Sequence, residues 1–268
     1  MWRVVGSREW VMVTLLLGAV ALACRPTPRE HPVPTGNAAR PGPPSGRAPV
    51  VRPLDEKPLY SHKNEELIVR DFFRDRRNGF FLDVGCAWPI THSNTYYLEK
   101  HLDWSGVAVD ALAEYGPAWR QKRPRSRFFS YLVSDHSDTI EPFYRSELPS
   151  VSSALKPRVA GRRDQGQEVP FQEIRVPTIT LTRLLEQENV SRVDFLSLDI
   201  EGAELAALAG FDIARFRPEL VCVEAKPTAR DPLAAYFETH GYRRLERYLE
   251  HDQVNHYFAP KRTRASAD

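Results

Sequence analysis

Cysteine is scarce in this chain of 268 residues: only Cys24, Cys86 and Cys222 are present. Three thiols cannot build a disulfide framework, and their spacing fits no metal site, so Cys86 and Cys222 read as buried thiols. Charge of one sign is also lacking. The net charge is +2, so no nucleic-acid partner is expected. No internal repeat is visible. No His/Asp cluster has metal-ligand spacing, and no metal is expected. The one long uncharged run, residues 10–24 "WVMVTLLLGAVALAC", would reach only ~22 Å as a helix, short of a ~30 Å hydrocarbon core.

That run has the length of a signal-peptide core, preceded by Arg3 and Arg8. "ALAC" resembles a bacterial lipobox, which would make Cys24 a lipidated membrane anchor. A short uncleaved signal anchor, with arginines on both sides, is the alternative. A buried core helix is a further reading. Either of the first two places the protein at a membrane of the cell envelope. Residues 25–59 hold ten prolines and cannot bury a core, so they read as a disordered tether. The expected organisation is 1–24 leader or anchor, 25–59 tether, 60–260 folded domain, and 261–268 disordered tail.

Within the domain, helical periodicity at 65–74, 93–102, 181–190, 203–211 and 232–241 alternates with apolar strand-like runs. The strands are 80–84, 105–111, 127–135, 193–202 and 219–225. Segments 140–145 and 173–181 are candidate extra strands around a polar loop at 150–168. Segments 242–250 and 253–260 read as a closing antiparallel pair. Continuous apolar strands between amphipathic helices imply a doubly wound, mostly parallel α/β sheet covered on both faces. In such sheets ligands bind beyond the carboxyl ends of the strands. Asp83, Asp110, Asp135, Asp199 and Glu224 all fall at or near predicted strand ends. A single strand-end acid is commonly a cap or turn former. Five clustered carboxylates repel one another, which favours a ligand-binding rim.

The stretch "GFFLDVGCAWP" (79–89) supplies one glycine at the first strand end. A dinucleotide fingerprint needs three, G-x-G-x-x-G, so a pyrophosphate is poorly accommodated and a nicotinamide oxidoreductase is disfavoured. Gly85 allows close backbone approach, and Asp110 stands where a ribose-binding acid is expected. A nucleoside lacking phosphates fits best, and S-adenosylmethionine is such a cofactor.

Several motifs then resemble the FkbM-type methyltransferases. They are "YSHKNEELIVRDFF", "FFLDVGCAWPITHSNTYYLEKHLDWSGVAVD", "RFFSYLVSD", "VPTITLTRLL" and "DFLSLDIEGAELAALAGFD", in family order over roughly residues 60–258. The resemblance implies a Rossmann-like methyltransferase fold with a C-terminal antiparallel hairpin, S-adenosylmethionine as cofactor, and O-methylation of a small molecule or sugar. It places Asp83 and Gly85 in the cofactor loop and Asp110 on the ribose. Ser134 and Asp135 would lie near adenine, and Tyr60, Ser61 and Glu65 in the N-terminal cover. Asp199 and Glu201 would form the acidic pair beside the methyl-transfer site. His62, Lys63 and Asn64 depart from the family's Gln-x-Gly, and Ala111 from a frequent proline.

A base near the acceptor hydroxyl would aid transfer, and the candidates in order are Asp199, Glu201 and His92. Asp199 either takes the proton or only positions cofactor or acceptor. Glu201 is alternatively a helix N-terminal acid, and His92 a loop or capping histidine. Lys156, Arg158, Arg162 and Arg163 in the polar loop would suit an anionic acceptor, unless that loop is merely solvated. A non-catalytic envelope interaction protein that kept the fold is the competing function.

Overall fold

The computed structural model describes residues 59–146, 152–154, 162–164 and 167–261, with only the backbone at 162–164 and 167–169. The leader, nearly all of the proline-rich segment, the last seven residues, Lys156 and Arg158 lie outside the described residues.

Five runs rich in Val, Ile, Leu and Phe become the parallel core of one sheet. These are β1 (Phe80–Val84), β2 (Ser105–Asp110), β3 (Ser126–Ser130), β9 (Phe195–Leu198) and β10 (Leu220–Glu224). With β11 (Tyr242–Arg244) and β12 (Asn255–Pro260) they form a seven-stranded sheet ordered β11-β12-β10-β9-β1-β2-β3. The last strand β12 runs antiparallel to both β10 and β11, and is inserted between them. The expected closing hairpin is therefore present, but its first strand is the outer edge.

Alternation along each strand fills both faces. Phe81, Phe195, Leu220 and Cys222 pack with Ile68, Val69, Phe72 and Phe73 of α1 (Glu65–Phe73), and with Leu98 and Leu102 of α2 (Tyr96–Leu102). Leu82, Val84, Leu196, Leu198, Val221 and Val223 face the other way. They meet α4 (Leu181–Gln187), α5 (Glu204–Ala209), α6 (Ile213–Phe216) and α7 (Arg230–Thr239) through Leu184, Leu208, Phe216 and Phe237. Each such side chain contributes about 1.5–3 kcal/mol on full burial. α3 (Gly116–Lys122) covers the β3 end of the sheet, with Trp119 buried.

The expected third strand, 127–135, is two strands. β3 stays in the main sheet, whereas β4 (Leu132–Val133) leaves it and pairs in parallel with β8 (Phe171–Ile179). β8 also runs antiparallel to β5 (Ile140–Ser146). Between them, the segment expected as a polar loop contains a ribbon of β6 (Arg162–Asp164) and β7 (Gln167–Val169). Arg162 and Arg163 lie on β6.

Candidate active site

A cavity of about 480 Å³ opens beyond the carboxyl ends of β1, β2, β9 and β10, roofed in part by residues of the N-terminal segment and of 152–154. Its first wall is the turn after β1. Gly85 has φ +78, and a Cβ there would come within 1.7 Å of the Asp199 carbonyl oxygen. No side chain fits, because the Gly85 and Asp199 backbones extend the β1–β9 pairing side by side. The bare backbone at the strand end thus closes the gap between two rim segments.

Asp83, two residues earlier, points away from the cavity and is 4 % exposed. Its Oδ2 accepts a 2.6 Å hydrogen bond from the Thr95 hydroxyl. Burial pushes its carboxyl up, and the Thr95 hydroxyl, the Arg123 guanidinium and Ser197 pull it back. The neighbouring residues of "SNT" are bonded as firmly. The Ser93 hydroxyl accepts from Arg123 Nη1 at 3.2 Å, and Asn94 donates to the Ser197 hydroxyl at 3.1 Å. Thr95 occupies the N-cap position of α2 without capping it, because its hydroxyl is directed to Asp83. The Ser93 hydroxyl accepts instead from the Tyr96 amide at 3.2 Å. Fully buried Arg123 ties the network together. It donates to Glu99 at 2.6 Å, to the Pro89 carbonyl at 2.9 Å and to Thr95 at 3.0 Å. The cofactor-loop acid expected from the motif is therefore a brace for the loop.

Asp110 at the end of β2 does face the cavity. Its two oxygens accept from the Ala87 and Leu112 amides at 3.0 and 2.9 Å, which joins the turns after β1 and β2. Burial raises its carboxyl to about 6, against the pull of those two amides. Each oxygen keeps a second lone pair for a ligand hydroxyl.

The third wall is "DIEGAE" after β9. Glu201 has φ +59 and Gly202 φ +106, so the chain doubles back within two residues. Buried Glu204 holds that turn, with Oε1 accepting from the Ile200 and Gly202 amides at 3.2 and 2.9 Å. Asp199, Glu201 and Glu224 consequently present oxygens that all lie within 4.8 Å of one another. Lys226 answers them, its Nζ standing 2.7 Å from Glu201 and 3.2 Å from Glu224. Asp199 opens to solvent through the cavity while protein surrounds its base. That enclosure, then the charges of Glu224, Glu201 and Glu204, push its carboxyl well above the usual range, with Lys226 opposing them. Burial and Glu201 raise Glu224 to about 7, again against Lys226.

The N-terminal segment closes the fourth side. Tyr60 and Ser61 do not line the cavity. The Tyr60 amide donates to Glu66 at 2.9 Å and its ring meets Tyr96 edge-on. The Ser61 hydroxyl accepts from the Glu66 amide and donates to the Lys63 carbonyl. Glu65 does line it, and accepts from the Lys63 amide and from Asn255 of β12. Those bonds carry His62 and Lys63 to the cavity wall, where His62 lies 4.9 Å from His92 between ring centres. Trp88, half exposed, stands edge-on to His92 and Tyr115.

Of the expected site residues, the fold brings Asp199, Glu201, His92, Gly85, Asp110 and Glu65 to one cavity. Asp83, Tyr60 and Ser61 stand behind its wall. Ser134 and Asp135 are elsewhere, because the chain leaves the main sheet at Tyr131. Asp135 is exposed and bonded to His136 at 2.6 Å. Tyr131, Leu132 and Val133 line the cavity in their place, with Ala111 and Leu112. Sequence reasoning also missed Lys226 and Glu204. Glu204 had a signal: an acid two residues after a glycine at a strand–helix turn. Both buried cysteines are free, and burial pushes their thiols well up, so neither is a nucleophile at neutral pH.

The charge of the cavity lining suits an adenosyl-sulfonium ligand. Its acids, Glu65, Asp110, Asp199, Glu201 and Glu224, outnumber its cations, and it offers no glycine-rich cradle for a pyrophosphate. A positive sulfur centre is electrostatically favoured there and a phosphate is not.

Residues 79–244 match the model of the methyltransferase FkbM domain. No curated protein matches the chain. Similar solved structures include a TehB-like SAM-dependent methyltransferase from Corynebacterium glutamicum, with 12% identity and TM-score 0.41, over 75% of this chain and 89% of that one. Another is an RNA-methyltransferase candidate from Pyrococcus horikoshii, with 11% identity and TM-score 0.37, over 74% of this chain and 84% of that one.

Proposed function

Since the chain belongs to the FkbM methyltransferase family, whose cofactor is S-adenosylmethionine, we propose that it transfers the methyl group to a hydroxyl of a small molecule or sugar. The observation that carries this reading is the convergence of Gly85, Asp110, Asp199 and Glu201 on one acid-rich cavity. The cofactor supplies an electrophilic methyl and its own leaving group. The chain's residues bind, orient and remove a proton. Asp110, held by two backbone amides, meets the ribose hydroxyls. Tyr131, Leu132, Ala111 and Leu112 form the apolar slot suited to the adenine ring. Asp199 is the base for the acceptor hydroxyl, since no described residue donates a hydrogen bond to its carboxylate. Burial and the neighbouring acids raise its proton affinity, which makes its carboxylate a stronger base than an ordinary one. Glu201 is engaged by Lys226, so it serves as a brace for Asp199. His92, at the rim beside Trp88 and His62, contacts the acceptor. The acceptor is uncharged or cationic, because the acids that face it would repel an anion.

We further propose that residues 1–24 direct the chain to the cell envelope and hold it at a membrane through Cys24 or as a short anchor. The test of activity is transfer of labelled methyl from S-adenosylmethionine to a panel of hydroxyl-bearing acceptors. Asp199→Asn is expected to lower turnover about 10²–10⁴-fold while S-adenosylhomocysteine still binds. Unimpaired turnover removes Asp199 as the base. Binding of the cofactor with no transfer to any acceptor would favour the fold as an interaction module.

A further inference from the structure

The ammonium of Lys226 meets the acid cluster from outside the cavity. It lies behind the cavity wall, 2.7 Å from Glu201 Oε2 and 3.2 Å from Glu224 Oε2, and reaches both without lining the cavity. The two glutamates come from different strand ends, and a third carboxylate, Asp199, stands within 4.8 Å of them. Three carboxylates this close cannot all be ionised without a cation among them. Burial works against the charge on Lys226, but its bonds to Glu201 and Glu224 outweigh burial and push its pKa up. It is therefore a permanent cation.

We propose that Lys226 is a positioning residue for methyl transfer: a fixed counter-cation that pins Glu201 and Glu224 behind Asp199 and leaves the Asp199 carboxylate to the acceptor. The proposal rests on the methyltransferase reading of the site. Lys226 supplies positive charge to two of these three acids. A side chain does this without an exchangeable ligand, and it also ties the strained Glu201 turn to the end of β10.

The groups facing Asp199 set the expected titration. Glu201 and Glu204 of its own turn and Glu224 of β10 raise its proton affinity, and Lys226 lowers it. Across the cavity stand Lys63, Glu65 and His62 of the N-terminal segment, His92 after β1, and Asp110 of β2. A sulfonium ligand senses the ionisation of this cluster, whereas the neutral thioether S-adenosylhomocysteine senses it far less.

The experiment is calorimetric titration of the full chain with S-adenosylmethionine and with S-adenosylhomocysteine across a pH series. It reads the pH midpoint at which the preference for the sulfonium rises, and it needs no acceptor. Lys226→Met is expected to move that midpoint up by about one pH unit or more, and Lys226→Arg to restore it. Glu201→Gln removes a repelling acid and leaves the cation in place, so it is expected to move the midpoint down. This second variant keeps the test open should Lys226→Met fail to fold. A midpoint unmoved in the variants that fold, with both ligands still binding, assigns Lys226 a purely structural role and overturns the proposal. Wild-type protein that binds neither ligand overturns the site reading itself, and the proposal with it.

Discussion

Gly85 and Asp83 show how two residues of one short motif divide the labour. Gly85 is required because the Asp199 carbonyl fills the space a side chain would occupy. Gly85→Ala combines that collision with a left-handed backbone, itself worth about 1–2 kcal/mol per non-glycine residue. The expected outcome is a lowered thermal midpoint and loss of S-adenosylhomocysteine binding. Normal binding by the alanine variant would contradict the close approach. Asp83 sits on the same motif but serves the loop from behind through Thr95. Sequence reasoning assigned it to the ligand because a strand-end acid and a ligand-binding acid look alike until the direction of the side chain is known. The same ambiguity applied to Asp110 and Asp199, and there the side chains do face the cavity. Alternation along β1 decides the difference, since Asp83 shares the face of Phe81 and α2, opposite to Leu82 and Val84.

At the level of elements, the loop between β1 and α2 is held by a buried ionic network rather than by apolar packing alone. Arg123 and Glu99 are an almost fully buried pair, and the guanidinium lies 4.4 Å over Trp119. Removing one partner strands a buried charge, which costs about 3–5 kcal/mol. Arg123→Met is therefore expected to lose about that much stability in urea unfolding, and to weaken cofactor binding because Pro89, Ser93 and Thr95 lose their anchor. A loss below about 1 kcal/mol would contradict the network. The parallel strands and most helices were legible from apolar runs and helical spacing. The division of 127–135 was not, because β4 leaves the sheet for β8, a partner far along the chain. With it went the placing of Ser134 and Asp135. α3 was missed because its Gly-Pro start reads as a breaker, although proline is tolerated in the first helical turn. Lys226 was invisible for a similar reason: its partners Glu201 and Glu224 meet only once β9 and β10 pair.

On the scale of the whole molecule, the rim holds protons that the unfolded chain would release. Asp110 and Glu224 hold their protons up to about 6 and about 7, above the ordinary carboxylate range. The folded state thus binds more protons than the unfolded one between that range and about pH 7. Stability from these groups is present at the acid end of the window and is lost as pH rises through their folded values. The ligand-free protein is expected to show a falling thermal midpoint across that window, and Asp110→Asn and Glu224→Gln to flatten the fall. A slope unchanged in both variants would contradict the assignment. A cationic ligand should offset the repulsion, which makes binding the most direct probe of the site as a whole. The central claim is that the strand ends of β1, β2, β9 and β10 form one adenosyl-sulfonium pocket. Calorimetric titration of the full chain with S-adenosylmethionine tests it most directly, with NADH as the competing nucleotide. One site per chain is predicted, with NADH silent and affinity lost in Asp110→Ala; no heat from S-adenosylmethionine, or binding indifferent to Asp110, would contradict it.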